Sequence, residues 1–138
     1  MTFRAYHVQM THRLDITAII GSRTHTKDQL MQVRALVGPR IYSSNKESVF
    51  ISGGCSSGAD FWCKYFCNQY GRKYLEAPAF WHKPNHGAIW MGAGQARNRL
   101  IVDVSNRVIA FWNGASRGTK GAIDYAESIG CPVEIVTI

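Results

Sequence analysis

The stretch SVFISGGCSSGADFWCKYFCNQYG, residues 48–71, joins a short apolar strand to an amphipathic helix through a glycine-rich loop. Ser48–Ser52 is the predicted strand, because it is short, apolar and bounded by a turn signal. One face of the following segment carries apolar or aromatic side chains at i, i+3 and i+4 spacing, namely Ala59, Trp62, Cys63, Phe66, Cys67 and Tyr70. This spacing predicts a helix that buries that face and ends at Gly71.

Strand and helix signals alternate along the rest of the chain. The other predicted strands are Ile16–Ile20, Lys73–Ala77, Arg107–Trp112 and Pro132–Thr137. The other predicted helices are Asp28–Val37, which Gly38-Pro39 should end, Gln95–Val104, with Leu100, Ile101 and Val104 inward, and Gly118–Ile129. Strands that alternate with short helices imply right-handed crossovers. The sequence therefore predicts an α/β protein, a Rossmann-like three-layer α/β/α fold with a mainly parallel five-stranded sheet.

Length and composition restrict the class of protein. The 138 residues are 46% hydrophobic and 18% charged, which indicates one globular domain. We expect residues 1–14 to be an N-terminal extension and residues 15–138 to form a single domain. No apolar run approaches the roughly 20 residues of a membrane-spanning helix, and residues 1–14 lack the apolar core of a secretory signal. The expected location is cytoplasmic, with no membrane partner.

Charge and cysteine content bear on partners and metals. The formal net charge of +7 permits nucleic acid as a partner, but a pocket for a phosphorylated small molecule needs the same sign of charge. Cys63 and Cys67, with His82 and His86, lack the CxxC spacing of common zinc sites, so core packing is the favoured reading of the two cysteines. We predict no metal and no cofactor.

Three predicted strand-to-helix loops carry the candidate binding residues. In parallel sheets, ligands bind beyond the carboxyl ends of the strands, near the point where strand order reverses. Glycines allow close backbone approach, and helix N-termini attract anions. The candidates in these loops are Gly21, Ser22 and Arg23; Gly53, Gly54, Ser57 and Gly58; and Gly114, Ser116, Gly118 and Thr119.

Four further candidate residues are Arg97, Asn98, Asp60 and Trp81. Arg97 should face inward on the same helical stripe as Ile101, and an inward arginine needs an anionic partner, either a ligand or Asp60 or Asp103. Asn98 beside it could add a hydrogen bond. Asp60 begins a helix and could cap it or accept hydrogen bonds from ribose hydroxyls. Trp81 could stack on a base, although a hydrophobic cluster under a long loop is the competing interpretation.

The motifs together resemble the YspA-like branch of the SLOG superfamily, which also holds LOG-type and DprA-like proteins. They are IIGSR at 19–23, ISGGCSSGAD at 51–60, AFW at 79–81, GQARN at 94–98 and VIAFWNGASRGT at 108–119. The resemblance covers Ile16–Ile138. It implies a Rossmann-like fold and a nucleotide or nucleotide-derived ligand. It also implies a ligand site at Gly53, Gly54, Gly58, Arg97, Gly118 and Thr119.

The sequence departs from the catalytic pattern of the LOG-type enzymes, which split a base from a nucleoside 5′-monophosphate. Their PGGxGTxxE motif supplies a glutamate three residues after the threonine, where this chain has Ala122. Arg97 fits the position of their arginine, and Asp60 or Glu76 could supply a carboxylate instead. Asp60 and Arg97 are thus the candidate catalytic residues if the protein is an enzyme.

Three functions remain open from the sequence. The first is a sensing or sequestering domain for a nucleotide-derived ligand, such as an ADP-ribose-like or cyclic nucleotide signal. The second is an N-glycosidic hydrolase acting on nucleotides, and the third is DprA-like DNA binding. We also expect a homo-oligomer, because related proteins tend to dimerise through helices that flank the sheet.

Overall fold

The computed structural model describes residues 14–24, 26–79 and 92–138. Five strands lie within these residues: β1 (Ile16–Gly21), β2 (Val49–Ser52), β3 (Lys73–Glu76), β4 (Arg107–Trp112) and β5 (Val133–Thr137). Four helices alternate with them: α1 (Lys27–Tyr42), α2 (Ala59–Tyr70), α3 (Ala93–Val104) and α4 (Arg117–Ser128). The described helices include none that is long and apolar enough to cross a membrane.

The five strands form one sheet in the order β3-β2-β1-β4-β5, and every neighbouring pair is parallel. This arrangement confirms the predicted Rossmann-like α/β fold. β2 and β3 add successively on one side of β1, whereas β4 and β5 add successively on its other side. The strand order therefore reverses between β1 and β4, and the loops after these two strands separate to open a crevice.

Alternate residues of β1 supply the two layers of the core. Ile19 packs with α1, α2 and the ring of Phe111, whereas Ala18 and Ile20 pack with α3 and α4. All three β1 residues are 5% exposed or less. A strand buried on both faces reads as a continuous apolar run, which is why the sequence around Ile16–Ile20 lacks polar alternation.

The prediction that Gly38-Pro39 ends the first helix is wrong, because α1 continues to Tyr42. Proline removes one N–H donor from the helix and normally weakens the turn before it. Two features stabilise the extra turn. The side chain of Ile41 is completely buried, and Arg40 Nη1 donates a hydrogen bond of 2.8 Å to the carbonyl of Leu36. Tertiary burial has overridden a local helix-stop signal.

Arg40 is expected to stabilise this region through more than its ion pair. Its Nε lies 2.9 Å from Glu134 Oε1, and its guanidinium also lies 5.8 Å from the ring centre of Phe111. We expect Arg40→Ala to lower the free energy of unfolding by about 1–2 kcal/mol, through the lost carbonyl bond and ring contact. Glu134→Ala should cost under about 1 kcal/mol, because it removes only a half-exposed ion pair. Urea unfolding measures both, and equal losses would contradict this account.

The inward face of α3 differs from the prediction at one position. Leu100 is 51% exposed, whereas Val102 is completely buried and Ile101 is buried as predicted. Arg97 lies one turn before Ile101 and shares its stripe, so its side chain still faces the carboxyl end of the sheet. The buried stripe of α3 passes through Ile101 and Val102, and Leu100 lies outside it.

Candidate functional site

A cleft of about 730 Å³ opens at the carboxyl ends of the central strands. It lies where the strand order reverses, between the loops that follow β1, β2 and β4. The structure brings ten of the predicted site residues to its walls: Gly21, Arg23, Gly53, Gly54, Asp60, Arg97, Asn98, Ser116, Gly118 and Thr119. The volume is that of a pocket for a small molecule.

The loop after β4 leaves backbone donors at the start of α4. The side chain of Asn113 accepts hydrogen bonds from the N–H groups of Ala115 and Ser116, at 2.9 and 2.8 Å. Ser116 Oγ then caps the helix by accepting from the N–H of Thr119. Among the described residues, no hydrogen bond uses the N–H of Gly118. This N–H therefore stays available at the positive end of the helix dipole.

The first three residues of the loop after β2 use their backbone donors internally, unlike the anion cradle that the sequence suggested. The N–H of Cys55 donates to Asp60 Oδ2 at 3.1 Å, and the backbone of Gly53 also hydrogen-bonds this carboxyl. The N–H of Gly54 donates to Ser52 Oγ at 3.4 Å. Each of these three consecutive amides thus has a partner within the protein and is not free to bind a phosphate.

The side chains of Arg97 and Glu76 pack closely against two glycines of the β2 loop. Arg97 Nη1 donates to the carbonyl of Gly53 at 3.1 Å, and a Cβ added to Gly53 would lie 2.7 Å from the guanidinium carbon. Gly54 has a φ of +73°, and a Cβ there would lie 2.7 Å from Glu76 Oε1. These glycines therefore make room for the ionic groups that line the cleft.

Asp60 is a buried carboxylic acid on the cleft wall, with only 9% of its surface exposed. Burial raises its pKa from 3.8 to about 6, although the hydrogen bond from Cys55 and the charge of Arg97 oppose the shift. The charge of Glu76 raises it further. A carboxyl that titrates near neutral pH inside a cleft is a frequent property of binding and catalytic sites.

This pKa predicts a pH-dependent stability. The folded protein holds the Asp60 proton up to about pH 6, whereas the unfolded chain releases it near 3.8, so stability falls as the pH rises through this window. Asp60→Asn should abolish this fall. Above pH 6 the free energy of unfolding of the variant should exceed that of the wild type by up to about 3 kcal/mol, at about 1.4 kcal/mol per pKa unit. Urea unfolding from pH 4 to 7 measures the slope.

A matched control for this measurement is Asp124→Asn. The Asp124 carboxylate lies on the exposed face of α4, where it pairs with Lys120 at 3.0 Å. This substitution removes the same charge without a buried carboxyl, so it should leave the pH slope between 4 and 6 unchanged. If Asp60→Asn kept the wild-type slope, the buried carboxyl would not be its source.

Four predicted site residues do not line the cleft. Ser22 is buried, and its Oγ accepts from the N–H of Asn113 at 3.3 Å, which ties the β1 and β4 loops together. Gly58 precedes α2 with a φ of +76°. Ser57 and Gly114 lie in the flanking loops, outside the cleft walls. Close packing also explains Gly21, because a Cβ there would lie 2.7 Å from the Cβ of Ala59.

Other sequence hypotheses fall outside the described residues or lie in the core. The proposed stacking residue Trp81, and both histidines of the zinc hypothesis, belong to the undescribed residues 80–91. Cys63 and Cys67 are buried in the core between α2 and the sheet. Within residues 14–24, 26–79 and 92–138, no cluster of His, Cys, Asp and Glu could hold a metal ion.

Glu76 and Asn113 line the cleft but are not among the binding residues that the sequence predicts. The sequence indicates Glu76 only as a substitute carboxylate. Both occupy the end of a strand, Glu76 as the last residue of β3 and Asn113 directly after β4. Polar side chains at the carboxyl ends of parallel strands were therefore the signal that could have identified them.

Searches with this chain find similar solved structures. No family model matches the sequence, and no curated protein matches it either. DNA processing protein A (DprA) from Streptococcus pneumoniae is 20% identical, with a TM-score of 0.68, over 89% of this chain and 50% of its own. The molybdenum cofactor binding protein from Rippkaea orientalis is 21% identical, with a TM-score of 0.70, over 91% and 78% of the two chains.

A second DprA, from Helicobacter pylori, gives a similar result. It is 18% identical with a TM-score of 0.63, and the match covers 88% of this chain and 64% of that one. The chain thus spans half to about two thirds of the DprA structures it matches. At these identities the likeness shows a shared fold. The shared fold is the Rossmann-like fold that the motif resemblance implies.

Proposed function

We propose that the cleft binds a nucleotide or nucleotide-derived ligand, and that the chain acts as a sensing or sequestering domain for it. The observation that carries this proposal is the meeting of Arg97, Arg23 and the free N–H of Gly118 at one cleft. Guanidinium groups and helix N-termini are the groups that bind phosphate in proteins. The cleft volume and its place at the reversal of strand order favour a small ligand.

Calorimetry with a panel of nucleotides tests the proposal. The panel would contain AMP, GMP, cyclic AMP, ADP-ribose and the uncharged nucleoside adenosine. We expect at least one phosphate-bearing compound to bind and adenosine to bind far more weakly, because it lacks the anion that the arginines and the helix N-terminus recognise. Absence of binding for every phosphate compound would overturn the proposal.

A second candidate function is hydrolysis of the N-glycosidic bond of a nucleotide. Its support is the buried Asp60 carboxyl, whose pKa of about 6 suits a general acid or base near neutral pH. Water would attack the anomeric carbon, and the base would leave with a proton. Release of free base from nucleoside monophosphates tests this function. Asp60→Asn should abolish the release, and no release from any common nucleotide would exclude the hydrolase.

The predicted homo-oligomer also remains a proposal. Large side chains on α1 and α2 stay exposed, including Met31, Tyr42, Phe61 and Tyr65, with exposures of 38–69%. An apolar surface of this kind suits contact between two copies of the chain. Light scattering at several concentrations would test it, and a monomer at all of them would argue against the oligomer.

A further inference from the structure

The sheet has two edge strands, and their chemistry differs. Among the described residues, β3 and β5 each have a strand neighbour on one side only. β3 is four residues long and begins with Lys73, directly after Arg72, whereas β5 has five residues and contains no Lys, Arg or Pro. Short length and lysine are features that protect an edge from pairing with another strand. β5 lacks both kinds of protection.

The backbone of β5 presents unpaired groups along this edge. The N–H of Ile138 donates to the carbonyl of Trp112 at 3.1 Å, and the carbonyl of Pro132 accepts from the N–H of Val108 at 2.9 Å. Even-numbered residues therefore face β4, and because successive residues of a strand direct their backbone groups to opposite sides, odd-numbered residues face outward. The outward-facing residues are Val133, Ile135 and Thr137. No hydrogen bond within the described part of the chain uses their outward groups.

We propose that β5 pairs with β5 of a second copy of this chain, so that the two sheets join into one across a two-fold axis. Two identical neighbouring strands related by such an axis run antiparallel. Ile135 then lies opposite the partner's Ile135, and Val133 lies opposite the partner's Thr137. Each opposed pair exchanges two hydrogen bonds, about six in all. The pairing thus satisfies the outward N–H and C=O groups of both copies.

The side chains of β5 favour a second copy as the occupant. The side chain of Ile135 is 45% exposed, and the partner's Ile135 would cover it, because opposed residues lie on the same face of a sheet. Glu134, the one charged residue of β5, lies opposite the partner's Val136 and already pairs with Arg40 at 2.9 Å. The chain has a net charge of +7, yet no like charges are directly opposed at this edge.

Analytical ultracentrifugation of the full chain over a wide range of concentrations tests the inference. We expect the wild type to form a reversible dimer. Ile135→Lys should raise the dissociation constant of this dimer at least about tenfold, because it removes an apolar contact and places two positive charges at the axis. A wild-type chain that stays monomeric at every concentration would overturn the inference. A folded Ile135→Lys variant that dimerises as tightly as the wild type would overturn it too.

Leu75→Lys is the matched control for this substitution. Leu75 lies on the other edge strand, β3, and its side chain is 48% exposed, close to the 45% of Ile135. Both variants replace an exposed aliphatic side chain by the same charge, so a general effect of charge on self-association would appear in both. Only Ile135→Lys should weaken the dimer. Equal weakening by the two substitutions would contradict an interface at β5.

Thr137→Pro tests the backbone hydrogen bonds of the interface. Proline lacks the N–H that faces outward at this position, and the bonds between β5 and β4 use other residues and stay in place. This variant should weaken the dimer even if Ile135→Lys fails to fold. Far-UV circular dichroism reports whether it is folded, and a folded variant with unchanged dimerisation would contradict strand pairing.

Disulfide cross-linking tests the register and distinguishes this edge from the exposed surface of α1 and α2. Opposed residues of a hydrogen-bonded antiparallel pair have Cα atoms about 5.5 Å apart, within the range of a disulfide. Cys55→Ser removes the one cysteine that is not buried. In this background, Ile135→Cys should give a covalent dimer on mild oxidation, and Leu75→Cys should not. A dimer through α1 and α2 would persist in Ile135→Lys and give no such cross-link, which would overturn the inference.

Discussion

Replacement of Arg97 by alanine is expected to weaken the binding of a phosphate-bearing nucleotide by about 10- to 150-fold. The guanidinium lies on the cleft wall beside the β2 loop, where it donates to Gly53 O at 3.1 Å and to Asn98 Oδ1 at 3.0 Å. These two bonds leave further N–H donors for a ligand. Hydrogen bonds to charged groups contribute about 1.5–3 kcal/mol, and each 1.4 kcal/mol changes affinity tenfold.

Arg99→Ala is the matched control for this substitution. Arg99 lies two residues further along α3, where its guanidinium stacks 5.2 Å from the ring centre of Tyr125. The two variants lose the same charge from the same helix, so a long-range charge effect would weaken binding in both. Calorimetry should show a large loss for Arg97→Ala alone. Equal losses would mean that Arg97 acts through the overall charge and not through contact with the ligand.

Replacement of Gly21 by alanine is expected to lower the free energy of unfolding by about 3 kcal/mol, the upper end of the usual cost of overpacking. The added Cβ would lie 2.7 Å from the Cβ of Ala59 and 3.5 Å from the Cβ of Phe111. A Cβ cannot rotate away from its backbone, so the start of α2 would have to move from the end of β1. That movement would also displace Asp60, the second residue of α2.

Two further variants test whether the contact between residues 21 and 59 causes this loss. Gly118→Ala adds a methyl group at the start of α4, where nothing lies within 4 Å of the added Cβ, and should be close to neutral. Ala59→Gly removes the other atom of the clash, so the double variant Gly21→Ala/Ala59→Gly should recover much of the loss. Thermal and urea unfolding measure these effects. A double variant no more stable than the sum of the single losses would contradict the close approach.

The elements with strong local signals were predictable from the sequence. The apolar face of α2, with Gly71 in the left-handed conformation at its end, follows directly from spacing and backbone preference. The strand Arg107–Trp112 has the predicted bounds. The extra turn of α1 could not be predicted locally, because the burial of Ile41 and the bond from Arg40 to Leu36 outweigh a proline.

For the candidate site, too, one part was predictable from the sequence and another part was not. The sequence predicted that the loops after β1, β2 and β4 would meet, because the carboxyl ends of parallel strands share one edge of the sheet. It did not predict that the amides of the β2 loop would be occupied by Asp60 and Ser52. Internal acceptors and outside ligands compete for the same N–H groups, and only their positions in space decide which one binds.

The amino-acid sequence by itself determined the alternation of strands and helices, the sheet edge where the loops gather and the presence of Arg97 there. Hydrophobic periodicity and chain connectivity fix these features, and both are properties of residue order. Only the tertiary structure decided that Arg23, Arg97 and the N-terminus of α4 share one cleft with the carboxyl groups of Asp60 and Glu76. This arrangement depends on short distances between segments that are separate in the sequence. The Asp60 carboxyl lies 3.1 Å from the N–H of Cys55, and the Glu76 side chain packs against Gly54. Hydrogen bonds and the pKa of Asp60 depend on such distances.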